Sequence, residues 1–361
     1  MSVNTPAHKP ARFEELDVLR GLAAFAVVLV HFLPLYDHLY GHVTPVFWPA
    51  TDNLETLKYY GVIPVSLFFM ISGFVIFMTL ERVSSTADFA VSRFSRLFPA
   101  YWVCLTLTII ATALLMPSAM LPASDIAVNY TMFQRFFGVP HVDEVYWTLY
   151  VELKFYILMA LICRLGWVGG ISHICAGWLL LAVIAEIAGF KDHPLAYVLY
   201  DLLILEWAPF FLSGIAFYLL WSGQRDRLVV AVLVGSIAAN FLIAPLWAAV
   251  IQAGFWGVFW LGITGRLKFI ICRPLVFLGT ISYSLYLVHQ NIGFYLINWL
   301  QENGIGVAVS ILCATILGLG LATAVTFLIE KPALRKIRQG WKRVKVSEAT
   351  QNLAPARAGS A

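Results

Sequence analysis

The chain has 361 residues, of which 60% are hydrophobic and 12% charged, against roughly 25% charged in an ordinary soluble domain. That composition excludes a soluble enzyme and predicts a polytopic membrane protein of the all-α class. The net charge of +4 is concentrated in EKPALRKIRQGWKRVKV, after the last apolar run, where it suits anionic lipid headgroups rather than nucleic acid.

Ten apolar stretches approach the ~20 residues that a spanning helix needs: 18–36, 59–80, 96–116, 147–163, 173–190, 202–221, 228–244, 246–264, 274–297 and 307–329. The expected architecture is therefore a membrane helical bundle of about ten transmembrane helices, with residues 1–346 as one domain. The small, polar segment 347–361 is expected to be a disordered cytoplasmic tail. MSVNTPAHKPARFEELDVLRG lacks the apolar core and cleavage site of a signal peptide, so the first stretch is expected to be retained. With both termini cytoplasmic, nearly every cationic loop falls inside. Lys58, Arg135 and Lys191 alone fall outside, and Lys154 lies within a helix, which satisfies the positive-inside rule and predicts a multi-pass protein of the inner (cytoplasmic) membrane.

In the first stretch, LDVLRGLAAFAVVLVHF, Arg20 and His31 are eleven residues apart. On a straight α-helix that is ~16 Å along the axis but only ~20° around it. One face thus carries a fixed cation at a membrane surface and a titratable imidazole deeper in. An arginine there can snorkel to lipid phosphate, and a histidine can be a packing residue. Their shared face favours a ligand phosphate for Arg20 and a general base or acyl acceptor for His31.

In the second stretch, FFMISGF places Ser72 and Gly73 where close helix contact is expected. At the start of the third, AVSRFSRLFPAYW sets Arg93 and Arg96 one turn apart. Three arginines at one face would suit an anionic, nucleotide-like ligand. The longest connection, from about Pro117 to Tyr146, is long enough to cover the outer face.

Glu152 lies in VYWTLYVELKFYILM of the fourth stretch. Lys154 points ~160° away around the helix, so Glu152 is expected to orient His31, to bind an acceptor hydroxyl or to pair with another helix, with Tyr156 one turn along the same face. In the ninth stretch, GTISYSLYLVHQNIGF lines up Ser282, Tyr286 and His289 on one stripe, which suits either a cavity wall or helix-to-helix hydrogen bonds. Glu330 and Pro332 are expected to cap and stop the last helix. Cys104, Cys163, Cys175, Cys272 and Cys313 show neither disulfide nor zinc spacing and read as packing residues, and no metal site is expected.

Taken in order, the arginine and histidine of the first helix, FFMISGFVI, SRFSRLFPAYW, WTLYVELKFY, SYSLYLVH and EKP resemble the integral-membrane acyltransferase-3 family, O-acyltransferases of bacterial surface glycans and some small molecules. The resemblance implies Arg20 and His31 as the essential pair, Arg93 and Arg96 as donor-side cations and Glu152 as the fourth-helix acid. Lys154 departs from the commoner pattern, in which a second acid or glutamine follows. What is implied is transfer of an acyl group, expected to be acetyl, from cytoplasmic acyl-CoA to a hydroxyl of an extracytoplasmic glycan or lipid-linked glycan, with no bound cofactor. Two alternatives stay open: O-acylation of a hydrophobic small molecule such as a macrolide, and a proton-coupled transporter. The latter is disfavoured because no internal repeat is visible.

Overall fold

The computed structural model describes residues 13–41 and 54–353. Lys9, Arg12, Arg357, the side chain of Lys58 and positions 354–361 of the expected tail lie outside the described residues. Every described element is helical. Seven helices are long and apolar enough to cross a membrane and three more apolar helices are shorter, making this a multi-pass membrane protein.

Twelve helices matter for the site: α1 (Glu14–Val30), α2 (Leu54–Leu80), α3 (Thr86–Leu115), α4 (Trp147–Arg164), α5 (Ile171–Ile187), α6 (Ala208–Trp221), α7 (Arg227–Ile243), α8 (Leu246–Ile263), α9 (Arg273–Val288), α10 (Gln290–Glu302), α11 (Val307–Val325) and α12 (Lys331–Leu353). The centre is built by α1, which packs between α9 and α2, while α4 closes the far side against α2 and α3. Helices α5 and α7 sit outside, behind α6. The α1/α9 contact is intimate because two glycines meet there. A Cβ on Gly21 would run into the backbone of Gly279, and one on Gly279 into the carbonyl of Asp17. In the same way Gly73 lies against the Phe211 carbonyl, so half of the Ser72-Gly73 expectation describes the α2/α6 contact.

Four departures from the predicted elements have local causes. Helix α3 starts at Thr86 rather than 96, because the Ser85 side chain accepts the Asp88 N–H at 3.1 Å and so caps it; this satisfies an otherwise orphaned donor. Arg93 and Arg96 therefore sit inside the helix, two turns and more beyond its start. The ninth stretch is two helices: α9 ends at Val288, and His289 occupies the bend before α10. The sixth begins only at Ala208, following a turn in which Ile204 has φ of +47°. Finally, the last helix does not stop at Glu330-Pro332. A π-helical turn, Thr326–Glu330, leads straight into α12, and Pro332, which has no N–H to give to the preceding turn, directly follows that irregularity. Among the described residues, α12 runs on to Leu353.

Asp88 ties α12 down, accepting from Trp341 Nε1 and Lys345 Nζ, both at 2.7 Å. The 117–146 connection is likewise pinned by its own polar groups. Buried Asn129 donates to the carbonyls of Asp125 and Pro140 and accepts from Val142 N–H. Asp143 accepts from the N–H groups of Asn291 and Val145, joining the connection to α10. Of the cysteines, Cys104 and Cys175 are buried, whereas Cys272 and Cys313 are exposed and so do not pack the core.

Candidate active site

Three cavities adjoin one another through shared lining residues. A vestibule of about 350 Å³ opens between α1, α9 and α12 and is lined by Asp17, Arg20, Arg96, Glu330, Lys331 and Arg335. Arg20 and Arg96 also line the next cavity, of about 120 Å³, together with Ser72, Arg93, Glu152 and Tyr156. This arginine chamber shares Val65 and Tyr286 with a third, of about 660 Å³, that contains His31. The sequence pairing of Arg20 with His31 thus spans two chambers rather than one.

Arg20 reaches across the glycine contact to α9. Its Nε donates to Ser282 Oγ at 3.0 Å and its Nη2 to the Gly279 carbonyl at 3.0 Å, with Asp17 at 3.2 Å. Ser282 is therefore a positioning partner of the arginine rather than a free cavity hydroxyl. Arg96 forms an ion pair with Glu330, whose side chain is only 3% exposed and also accepts from Ser284 Oγ. Glu330 is a counter-charge, not a helix cap. Arg93 is engaged differently. Among the described residues its hydrogen bonds go to the hydroxyls of Thr79 and Ser92, and its Nε is buried without a hydrogen-bond partner. The Arg93 guanidinium lies 5.8 Å from the Tyr156 ring centroid, within cation–π range.

Glu152 belongs to this chamber. Its Oε1 accepts from Ser72 Oγ at 2.7 Å and from Tyr156 OH at 2.5 Å. Tyr156 shares its face, as expected from the one-turn spacing. The expected link from Glu152 to His31 is not what the fold makes: α4 delivers the carboxylate beside the arginines, while the bonded partner of His31 comes from α9. Lys154, on the other side of α4, pairs with Asp201 at 2.9 Å, so the residue that departs from the family pattern serves a separate ion pair.

In the larger chamber the α-helical path of α1 ends at Val30, and His31–Leu35, with Pro34, form a π-helical turn. Such turns change the direction of the side chains they carry. His31 Nδ1 lies 2.7 Å from His289 Nε2. Phe294 packs edge-on to His31, with centroids 6.4 Å apart. The remaining wall comes from distant parts of the chain: Trp147 and Trp207, with centroids 5.1 Å apart, and Arg135, His141, Glu144 and Glu206. Tyr286, which receives a hydrogen bond from Thr148 Oγ1 at 3.0 Å, stands in the wall shared by the two chambers. Burial, and then the Arg135 charge, lowers the His141 ring to about 4. Arg135, not His141, is therefore the cation of this wall near neutral pH. Burial pushes the neighbouring Asp143 up to about 7, against the opposing pull of its two N–H donors.

The tryptophans, Glu206 and the Glu330 counter-charge carry no signal that spacing alone could expose, since each meets the site only through tertiary contact. Glu330 had one usable hint, an acid at the end of an apolar run.

A family model described as an acyltransferase domain matches residues 13–331. Nodulation protein 10 of Rhizobium leguminosarum bv. viciae is 30% identical over 182 residues, covering 44% of this chain and 46% of that protein. The exopolysaccharide production protein ExoZ of Rhizobium meliloti (strain 1021) is 25% identical over 305 residues, covering 77% of this chain and 91% of its own length. This chain thus spans less than half of the first relative and nearly all of the second. No solved structure matches it.

Proposed function

We propose that this chain, which belongs to the acyltransferase-3 family of acyltransferase domains, moves an acyl group, acetyl in the simplest case, from cytoplasmic acyl-CoA to a hydroxyl of an extracytoplasmic glycan. Membership favours acyl transfer over the transport reading. The observation that carries the proposal is the pair of adjoining chambers: one is ringed by Arg20, Arg93 and Arg96, the other holds His31, and they meet at Val65 and Tyr286.

Guanidinium groups suit the phosphates of CoA because they present planar, paired donors to phosphate oxygens. The donor enters through the vestibule, the end of the bundle where Lys331, Arg335 and Lys345 also lie, and its thioester reaches toward the shared wall. The acceptor enters the larger chamber from the opposite side. Tryptophan faces and carboxylates such as Glu144 and Glu206 fit a pyranose, which presents C–H faces to rings and hydroxyls to acceptors. The name of the ExoZ relative, covered over most of its length, supports a polysaccharide acceptor.

In this reading, His31 takes the proton of the acceptor hydroxyl as its oxygen attacks the thioester carbonyl carbon. The C–S bond breaks, the thiolate leaves and the proton passes to it, giving an ester and free CoA. No bound cofactor takes part. Glu152, hydrogen-bonded by Ser72 and Tyr156, balances charge among the arginines and helps to orient the donor. The membrane is the bacterial inner membrane, with both termini cytoplasmic.

The test uses purified protein in nanodiscs with acetyl-CoA and a saccharide acceptor, following free CoA and ester together. His31→Ala should insert and fold yet lose roughly 10²- to 10⁴-fold in rate, the usual worth of general-base assistance. Near-native turnover by that variant, or acceptor movement without CoA release, would overturn the proposal. Offering a macrolide beside the saccharide separates the two acceptor classes.

A further inference from the structure

We infer that His289 is a positioning residue that holds His31 in the Nδ1–H form and so reserves the His31 Nε2 lone pair for the reacting proton. The inference rests on the reading of His31 as the base and specifies which of its two nitrogens does the work.

His289 sets the hydrogen-bond pattern of the pair. It is only 1% exposed and ends α9, so its ring folds back on the last turn of its own helix. Its Nδ1 lies 2.9 Å from the Tyr286 carbonyl oxygen and 3.2 Å from that of Leu285. Carbonyl oxygens only accept, so Nδ1 must carry a hydrogen. A neutral imidazole has one N–H, which leaves Nε2 of His289 as an acceptor. That atom is 2.7 Å from His31 Nδ1, while the ring centroids are 4.9 Å apart. The rings therefore meet edge to edge through these nitrogens rather than face to face. His31 has to be the donor in this bond. With its one neutral hydrogen on Nδ1, its lone pair sits on Nε2.

Two features that the mechanism did not otherwise use put the rings in this register. The π-helical turn that begins at His31 departs from the α-helical path of α1, and the bend between α9 and α10 falls at His289. Phe32 packs so closely on α10 that a Cβ on Gly293 would collide with its ring, which fixes the π-helical turn against α10.

The chemical consequence is specific. When Nε2 of His31 takes the hydroxyl proton, the ring becomes a cation with hydrogens on both nitrogens, and its Nδ1–H bond to the His289 lone pair becomes charge-assisted and stronger. The pair thus stabilises the protonated base as it forms and releases the proton from Nε2 to the departing thiolate. A merely structural His289 would have no such preference for one ring form of His31.

Two readouts test this on the full chain in nanodiscs. First, ¹⁵N NMR of histidine-labelled protein, with the His31 resonances identified by subtracting the His31→Ala spectrum, should show a protonated Nδ1 and an unprotonated Nε2. A native His31 with hydrogen on Nε2 overturns the inference. Second, His289→Phe should lower kcat by about 10- to 100-fold, as loss of the outer hydrogen-bond partner of a metal-ligating histidine does, with little change in either KM. His289→Gln can offer Oε1 where Nε2 stood, and should recover most of kcat. Equal loss in both variants, or a change confined to KM, contradicts the assignment. The native spectrum decides the matter even if His289→Phe fails to fold. If His31→Ala stays active while the spectrum is as described, the proposed function fails and the tautomer assignment survives. If His31→Ala is dead and the native ring carries its hydrogen on Nε2, only the assignment fails.

Discussion

The two chambers that meet at Val65 and Tyr286 differ in size and in the charged groups they hold. The arginine chamber, at about 120 Å³, is small and sets Arg20, Arg93, Arg96 and Glu152 in a largely apolar wall, and most of the arginine charge is already countered: Arg20 by Asp17, Arg96 by the buried Glu330. The histidine chamber, at about 660 Å³, is large, has tryptophan in its wall, and holds its key nitrogen by a single bond between two imidazoles. A tight, charge-rich slot suits a ligand of fixed anionic chemistry. A wide chamber that pairs tryptophan faces with carboxylates suits the saccharide acceptor of the proposed reading. On the proposed reading, loss of an arginine counter-charge should therefore cost stability while loss of His31 should cost turnover.

The sharpest way to break this contrast is to remove a counter-charge. Arg96→Ala leaves Glu330 unpaired at 3% exposure, and breaking a buried pair in this way typically costs ~3 to 5 kcal/mol. The expected outcome is a large fall in detergent melting temperature, partly restored by Glu330→Gln. An unchanged melting temperature would mean that the pair is not structural.

Arg93→Ala should behave oppositely. Its guanidinium is bonded to hydroxyls and its Nε is buried and unpartnered, so it is the cation with most left to give a ligand. A charge-assisted contact is worth ~1.5 to 3 kcal/mol, which corresponds to a rise of roughly tenfold or more in donor KM, with acceptor KM and melting temperature little changed. A rise in acceptor KM alone would put the donor in the wrong chamber.

Glu152→Gln sharpens the comparison further. Glutamine can still accept from Ser72 and Tyr156 but has no charge. Slower turnover at a normal melting temperature assigns the carboxylate to the donor site. Early melting with normal turnover per folded molecule assigns it to architecture.

A further effect, confined to acid pH, lies in the wall of the histidine chamber. His141 is held neutral in the folded chain down to about 4, below the ordinary histidine value of about 6.5. The unfolded chain therefore binds the extra proton first, and this contribution to stability is lost as pH falls from about 6.5 to about 4. His141→Gln removes the term. Its melting temperature should fall less than that of the native chain over that window, and identical profiles would show that the ring is not shielded.

Much of this was legible in the sequence. Apolar stretches located nearly every helix, and a shared face for Arg20, with Arg93 and Arg96 one turn apart, was enough to gather three cations. Tyr156 was placed on the face of Glu152 by spacing alone. What stayed hidden were facts of tertiary register. The eleven-residue spacing assumes a straight helix and cannot show a π-helical turn starting at His31. The stripe of Ser282, Tyr286 and His289 looked uniform, yet its members have three different partners: Arg20, Thr148 and His31. Glu330 followed by proline reads locally as a stop signal, and its buried pairing with Arg96 depends on a residue 234 positions away. Glu152 meets Ser72 and Tyr156 rather than His31, because helical geometry fixes the face of a residue but not the neighbour which that face meets.

On the proposed function, donor and acceptor come from opposite ends of the bundle and meet at the wall between the chambers. The most direct test reconstitutes the protein in sealed liposomes with known orientation, supplies acetyl-CoA on one side only and saccharide on the other, and measures ester and free CoA on each side. Ester should form when acetyl-CoA is given on the side of α12 and saccharide on the opposite side, with free CoA returning to the donor side, and the reversed arrangement should give none. Ester formed only when both substrates share one side would contradict the account.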